Sequence, residues 1–202
     1  MYWAIYGIVM FAAIAMMVRE GLWSNTISLV NITSSGLVAF GFYSPLVIYL
    51  NEGLTDGQHT YWLDFAILWA LYVATFVIIR ALSAAASKTR MRFKNPIDPA
   101  GGPAMGVLAA WVLACFTLAT LHVSPMPGKD VFGGKLVHAD VQSASSITSP
   151  DAAWLRFVER MSPPVALGSG DTGDFSANAF VKIYGERREK LSQASSLIVD
   201  RG

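Results

Sequence analysis

Charge is scarce in this sequence. Asp, Glu, Lys and Arg make up 14% of its 202 residues, against about a quarter in an ordinary soluble domain. The shortage is uneven. Of the 15 Lys and Arg, six lie in residues 1–123 and nine in residues 124–202, and nine of the 14 Asp and Glu also lie after residue 123. Such a split separates a membrane part from a wet part. The formal net charge is only +1, and no basic face stands out, which excludes a general nucleic-acid binder. One cysteine, Cys115, excludes an intrachain disulfide, and its apolar surroundings make it a small core residue.

Catalytic vocabulary is equally thin. There is no Gly-x-Ser-x-Gly elbow and no Walker loop. Of the three histidines, His138 stands alone in a linker, where it serves no serine nucleophile. His59 and His122 have no third ligand with which to form a metal site. Asp171-Thr172-Gly173 matches the aspartic-protease triplet. It follows Gly168-Ser169-Gly170 rather than a buried strand, however, and lacks the second copy that a carboxylate pair requires. It reads as a polar turn. No enzyme site, cofactor or metal is expected.

What the sequence has is apolar length. Hydrophobic residues make up 53%. A helix needs roughly 17–25 mostly apolar residues to cross about 30 Å of hydrocarbon, and four segments qualify: residues 2–18, 27–50, 61–79 and 103–123. The first lacks the positive n-region of a secretory signal, so it reads as a retained span. The expected fold is an all-α membrane protein, with a four-helix transmembrane domain over 1–123 and a small, partly ordered extracytoplasmic tail over 124–202.

Orientation follows from the short loops. Arg19 follows the first span, and Arg80, Lys88, Arg90, Arg92 and Lys94 follow the third. The loop between the second and third spans has no Lys or Arg. The basic loops therefore set the cytoplasmic side, and both termini fall outside. Tyr2, Trp3, Tyr43, Tyr49, Tyr61 and Trp62 cluster toward the outer interface, with Trp23 toward the inner one, as interfacial aromatics should.

Lipid provides no hydrophobic drive between helices, so small residues mark close packing. The fourth span has Gly102, Gly106, Ala110 and Ala114 at every fourth position. The third has Ala66, Ala70 and Ala74. The second carries a polar stripe, Ser24, Ser28, Asn31 and Ser35, ending in Ala39. Each stripe shares one helix face and is expected to face the bundle interior. Alternatively, Ser28, Asn31 and Ser35 line a solute path. Asn31-Ile32-Thr33 matches a glycosylation sequon but sits inside a span. Asp64 is the one acid within a span, and no intramembrane partner for a proton relay is visible.

In the tail, residues 124–148 read as a linker rich in Ser, Gly, Pro and Ala. A short amphipathic helix is expected over 150–162, with Ser149 as N-cap and Pro150 at the first position. Its apolar stripe is Trp154, Leu155, Val158 and Met161. Pro163 and Pro164 end it. It would lie on the membrane surface or pack on the bundle. The segment AFVKIY reads as a short strand, followed by a charged helix, GERREKLSQASSLIV.

Two stretches go further than composition. A basic turn leads directly into a long second span, VREGLWSNTISLVNITSSGLVAFGFYSPLVIYL, and the loop after Arg80 ends in NPIDPAGGPAMGVLAAWVLA. On these features, residues 1–123 resemble the colicin V production (CvpA) family of bacterial inner-membrane proteins. Asp98, Gly102 and Gly106 match that family's Asp-Arg-x-x-Gly-x-x-x-Gly entry to the last span, with Pro99 in place of the arginine. The basic residues usual around Gly21 and Gly106 are absent. Some members carry a periplasmic trypsin-like protease, for which this tail is too short. The resemblance implies a cytoplasmic-membrane protein linked to colicin V production or export and to envelope maintenance. The expected role is a non-enzymatic accessory or scaffold, with the bilayer as its environment. The tail is available to an extracytoplasmic protein partner, and the helices to homo-oligomer formation. The alternatives are an oligomeric channel or small-solute transporter subunit, and a membrane anchor for a periplasmic enzyme.

Overall fold

The computed structural model describes residues 1–54, 60–86, 97–126, 132, 136, 140–162 and 175–199. Six helices account for most of them: α1 Tyr2–Met17, α2 Leu22–Leu54, α3 Thr60–Ala86, α4 Ile97–Thr120, α5 Pro150–Met161 and α6 Ala177–Val199. There is no strand among the described residues. Three helices are long and apolar enough to cross a membrane, over Leu22–Leu50, Trp62–Ala86 and Asp98–Thr120. Helix α1 is apolar too but has 16 residues, about 24 Å at 1.5 Å per residue.

Helix ends depart from the expected spans for local reasons. α3 runs past Arg80 to Ala86, because a charge stops a membrane span but not a helix, and Ala81-Leu82-Ser83-Ala84-Ala85-Ala86 is rich in the best helix former. α2 begins at Leu22 because the Asp98 carboxylate accepts the Leu22 N–H at 2.9 Å, supplying an N-cap from another helix. α4 tightens after Thr120 into turns, with Leu121, His122 and Val123 N–H groups bonded three residues back, as helix termini often do.

Helices α2 and α4 form the centre. α3 packs on α2, α1 on α4, and α5 mainly on α4. α2 and α4 run parallel: Leu22 lies against Asp98 and Gly101 at one end, and Phe40 against Phe116 farther along, with ring centroids 5.9 Å apart. The core between them is strongly aromatic. Tyr72 of α3 stacks on Phe116 at 4.2 Å, Trp154 meets both Phe40 and Phe116 edge-on, and Phe180 reaches Phe40 from α6. Outward-facing positions such as Ile8, Phe11, Val73, Val77, Ile78 and Leu82 remain more than half exposed, the pattern of a bundle whose solvent is lipid.

The small-residue stripe of α3 does not sit where it was expected. Ala66, Ala70 and Ala74 face outward. The opposite face, Asp64, Ile67, Leu68 and Tyr72, is buried, because Tyr72 and Leu68 fill the space against Phe116 that alanines would leave empty.

The tail also differs. AFVKIY is helical and continuous with the charged segment as α6. Its buried positions, Ala177, Phe180, Val181, Tyr184 and Arg188, recur with helical and not strand spacing. α5 covers Pro150–Met161 and packs on the bundle: Trp154, Leu155 and Val158 are buried, while Met161 is about half exposed. Ser149 is its N-cap but makes no side-chain capping bond. The Asp171 triplet, His138, His59, Pro163 and Pro164 lie outside the described residues.

Helix α5 has a definite direction. Its start, Asp151, touches His122 just past the end of α4. One turn on, Trp154 meets Phe116. Phe157 then shares a cavity with Trp111 and Leu108. α5 therefore runs antiparallel to α4, level with the second half of a membrane-length helix.

Candidate functional site

Three polar assemblies and one amphipathic cavity stand out from this apolar frame. The first is a clasp between the turn after α1 and the start of α4. Asn25 donates through Nδ2 to the carbonyls of Gly102 at 2.7 Å and Met17 at 3.0 Å. A Cβ on Gly102 would lie 2.8 Å from the Glu20 carbonyl oxygen, and one on Gly106 would lie 3.1 Å from Asn25 Nδ2. The two glycines thus admit the turn's backbone, and Asp98 caps α2 from the same helix face. Gly102, Gly106, Ala110 and Ala114 are all buried.

The second assembly joins the tail to α1 and α4. Tyr2 donates its hydroxyl to Asp151 Oδ1 at 2.8 Å, and His122 Nε2 lies 2.9 Å from Asp151 Oδ2. All three residues are at most 1% exposed. Three elements distant in sequence, the first residues of α1, the end of α4 and the start of α5, are fastened at one carboxylate. A buried carboxylate is tolerable only with such partners.

The third assembly joins α6 to α2 and α3. Tyr184 donates to Asp64 Oδ2 at 2.9 Å and lies 3.3 Å from the Tyr43 hydroxyl. Arg187 pairs with the same Asp64 oxygen and lies over the Tyr184 ring at 5.0 Å. The partner missing from the spans is therefore supplied by the tail. Burial pushes the Tyr184 phenol above its usual range and the Arg188 guanidinium below its own. Asp64, His122, Tyr184, Arg187 and Arg188 border one small cavity, and Asp64 Oδ1, His122 Nδ1 and Arg188 Nε have no hydrogen-bond partner among the described residues.

The polar stripe of α2 is divided. Ser35 is fully buried and bonds the Asn31 carbonyl of its own helix at 2.7 Å. Asn31 Oδ1 accepts from Ser83 of α3 at 3.0 Å. Ser24, Ser28 and Asn31 line a cavity of about 290 Å³ with Arg80 and Ser83, near Met17 and Glu20 of the α1 turn. It is Asn25, one residue off the stripe, that meets the Gly102–Gly106 face. Of the loop cations expected to set orientation, Arg19 and Arg80 are exposed. Lys88, Arg90, Arg92 and Lys94 lie outside the described residues.

A larger cavity, about 490 Å³, lies between α2, α4 and α5. Leu29, Leu108, Trp111 and Phe157 contribute apolar wall, and Arg156 and Arg160 stand at its border. Among the described residues no three His, Cys, Asp or Glu side chains converge as a metal site would require. The Tyr2–Asp151–His122 and Asp64–Tyr184–Arg187 groups were missed by sequence reasoning as groups. The available signal was a lone acid, Asp64, in an apolar helix, which demands a partner somewhere.

Compared with known proteins, residues 3–149 match the sequence model of one family, described as Colicin V production protein. The match covers well over half of the chain and continues past α4 to the residue before α5. No curated protein and no solved structure matched the chain.

Proposed function

Because the chain belongs to the colicin V production protein family, we propose that it is a four-span cytoplasmic-membrane scaffold for toxin production or export. Both termini face outside, and the part of the tail beyond the inserted α5 presents a surface to an extracytoplasmic partner. It carries no catalytic chemistry of its own. α1, at 16 residues, serves as the fourth span by local thinning of the bilayer or by its interfacial flanks. The basic residues of the 80–94 region give the orientation.

One observation carries the scaffold reading: three carboxylates of the bundle are spent on holding elements together. Asp151 ties α1, α4 and α5, Asp64 ties α3 to α6, and Asp98 ties α4 to α2. A hydrolytic site would need such groups directed at a substrate. Reporter fusions after residues 55, 95 and 140 test the orientation, with outside, inside and outside expected. Periplasmic reporter activity at position 95 overturns it. Co-purification from cells secreting colicin V tests the partner. Loss of toxin export without any captured envelope protein, together with peptide or nucleotide hydrolysis by the purified chain, contradicts the scaffold role.

A second reading is favoured by one specific feature. Ser24, Ser28 and Asn31 border a cavity of about 290 Å³, so a solute path of an oligomeric channel has a starting point there. Liposome flux that is unchanged by Asn31→Leu removes it.

A further inference from the structure

The cavity between α2, α4 and α5 combines an apolar wall with cationic groups at its border. Its walls are apolar, with Leu29, Leu108, Trp111 and Phe157, and it lies beside two membrane-length helices: Leu108 is near the midpoint of α4, and Leu29 is in the first quarter of α2. Yet two guanidinium groups border it. Arg156 is satisfied by the carbonyls of Gln142 and Ala144 and by Ser146 Oγ. Arg160 makes no hydrogen bond or ion pair among the described residues and its side chain is exposed. The nearby carboxylate, Glu159, is directed to Gln142 and to the Ala177 N–H, so it does not neutralise Arg160. A cation beside apolar surface without a counter-charge is costly in a membrane, and such groups pair with an anion where one is to be had.

We propose that this cavity binds a single-chain amphipathic carboxylate, a free fatty acid being the simplest, with its hydrocarbon body between α2 and α4 and its carboxylate on Arg160. Charge complementarity sets the head, since a guanidinium meets a carboxylate through two parallel hydrogen bonds. Size sets the tail. About 490 Å³ falls in the range of small-ligand pockets, which suits one chain and not the two of a phospholipid. α5 is the third wall, so the site exists only when the tail is docked.

The probe is cis-parinaric acid, titrated into the full chain in nanodiscs of neutral phosphatidylcholine, with energy transfer from tryptophan as the signal. Trp111 and Trp154 border the cavity. Saturable transfer is expected, at least tenfold weaker for the methyl ester, which keeps the chain and loses the charge. Arg160→Gln, at an exposed position, is expected to weaken the acid at least tenfold and leave the ester unchanged. Leu108→Trp, which fills the cavity, is expected to weaken both. Circular dichroism confirms that each variant remains folded. Equal affinity for acid and ester, or retained binding in Arg160→Gln, overturns the proposal. So does native mass spectrometry showing a tightly held phosphatidylglycerol that the fatty acid does not displace.

Discussion

Gly36 of α2 is where Trp154 of the tail packs closely against the bundle, and adding one methyl group there tests how the two are joined. A Cβ on Gly36 would stand 2.5 Å from Cζ2 and 2.6 Å from Cη2 of Trp154, and 3.1 Å from Cδ2 of Phe116. No real Cβ contact is that short, and the obstacle is a rigid indole wedged against Phe40 and Phe116. Gly36→Ala must therefore displace Trp154, which is 2% exposed, and with it α5. Overpacking of this kind costs about 1–3 kcal/mol. A loss near 2 kcal/mol corresponds to a fall in Tm of roughly 4–8 °C for a chain of this size. Thermal unfolding in detergent, followed by near-ultraviolet circular dichroism, reads the stability, and limited proteolysis within α5 and α6 reads the docking. Trp154→Phe removes the two crowded carbons, so in combination with Gly36→Ala it should recover at least about 1 kcal/mol of the sum of the single losses. A Gly36→Ala protein that melts like the wild type and is no more open to protease refutes the placement of Trp154.

Other outcomes follow from the polar fastenings. Asp98→Ala removes the cap on Leu22 and should cost about 1 kcal/mol, measured as a lower Tm with helix content otherwise kept. Gly102→Ala should cost more, since its Cβ meets backbone, the Glu20 carbonyl at 2.8 Å, which cannot rotate aside. Tyr184→Phe leaves Asp64 with one donor fewer, and hydrogen bonds to charged groups contribute about 1.5–3 kcal/mol; faster proteolysis of α6 with α1–α4 intact is the expected readout. Asp151→Asn should loosen α1 and α5 together, so cross-linking between the first residues of α1 and the end of α4 should fall in step with α5 protection.

Long, apolar, membrane-length helices were legible because no other structure satisfies the backbone in such runs. Their ends were less so. The cap on α2 comes from Asp98, 76 residues away, and the extension of α3 to Ala86 comes from alanine propensity that hydropathy does not see. The four-residue spacing of Gly102 and Gly106 pointed to a close contact, and the partner is the turn at Glu20–Gly21 rather than a facing helix. The same spacing in Ala66, Ala70 and Ala74 misled, since a face of alanines packs closely only if its neighbour does not offer a larger side chain a better place. Tyr72 and Leu68 had that place. AFVKIY alternates well enough to read as a strand, but the buried set continues to Tyr184 and Arg188 at helical intervals. The two carboxylate clusters were out of reach altogether: Tyr2 and Asp151 are 149 residues apart, Asp64 and Arg187 123, and no local pattern records such a meeting.

The tail returns into the bundle, with α5 running down the second half of α4. A nitroxide on Met161→Cys, in a Cys115→Ala background reconstituted in bilayers, reads its depth from collisions with oxygen and with a water-soluble nickel chelate. Met161 is exposed, near the far end of α5 from His122, so the label should meet oxygen more than nickel, at a depth well inside the hydrocarbon. Nickel collisions like those of a label in free water would place α5 outside the bilayer and contradict the account.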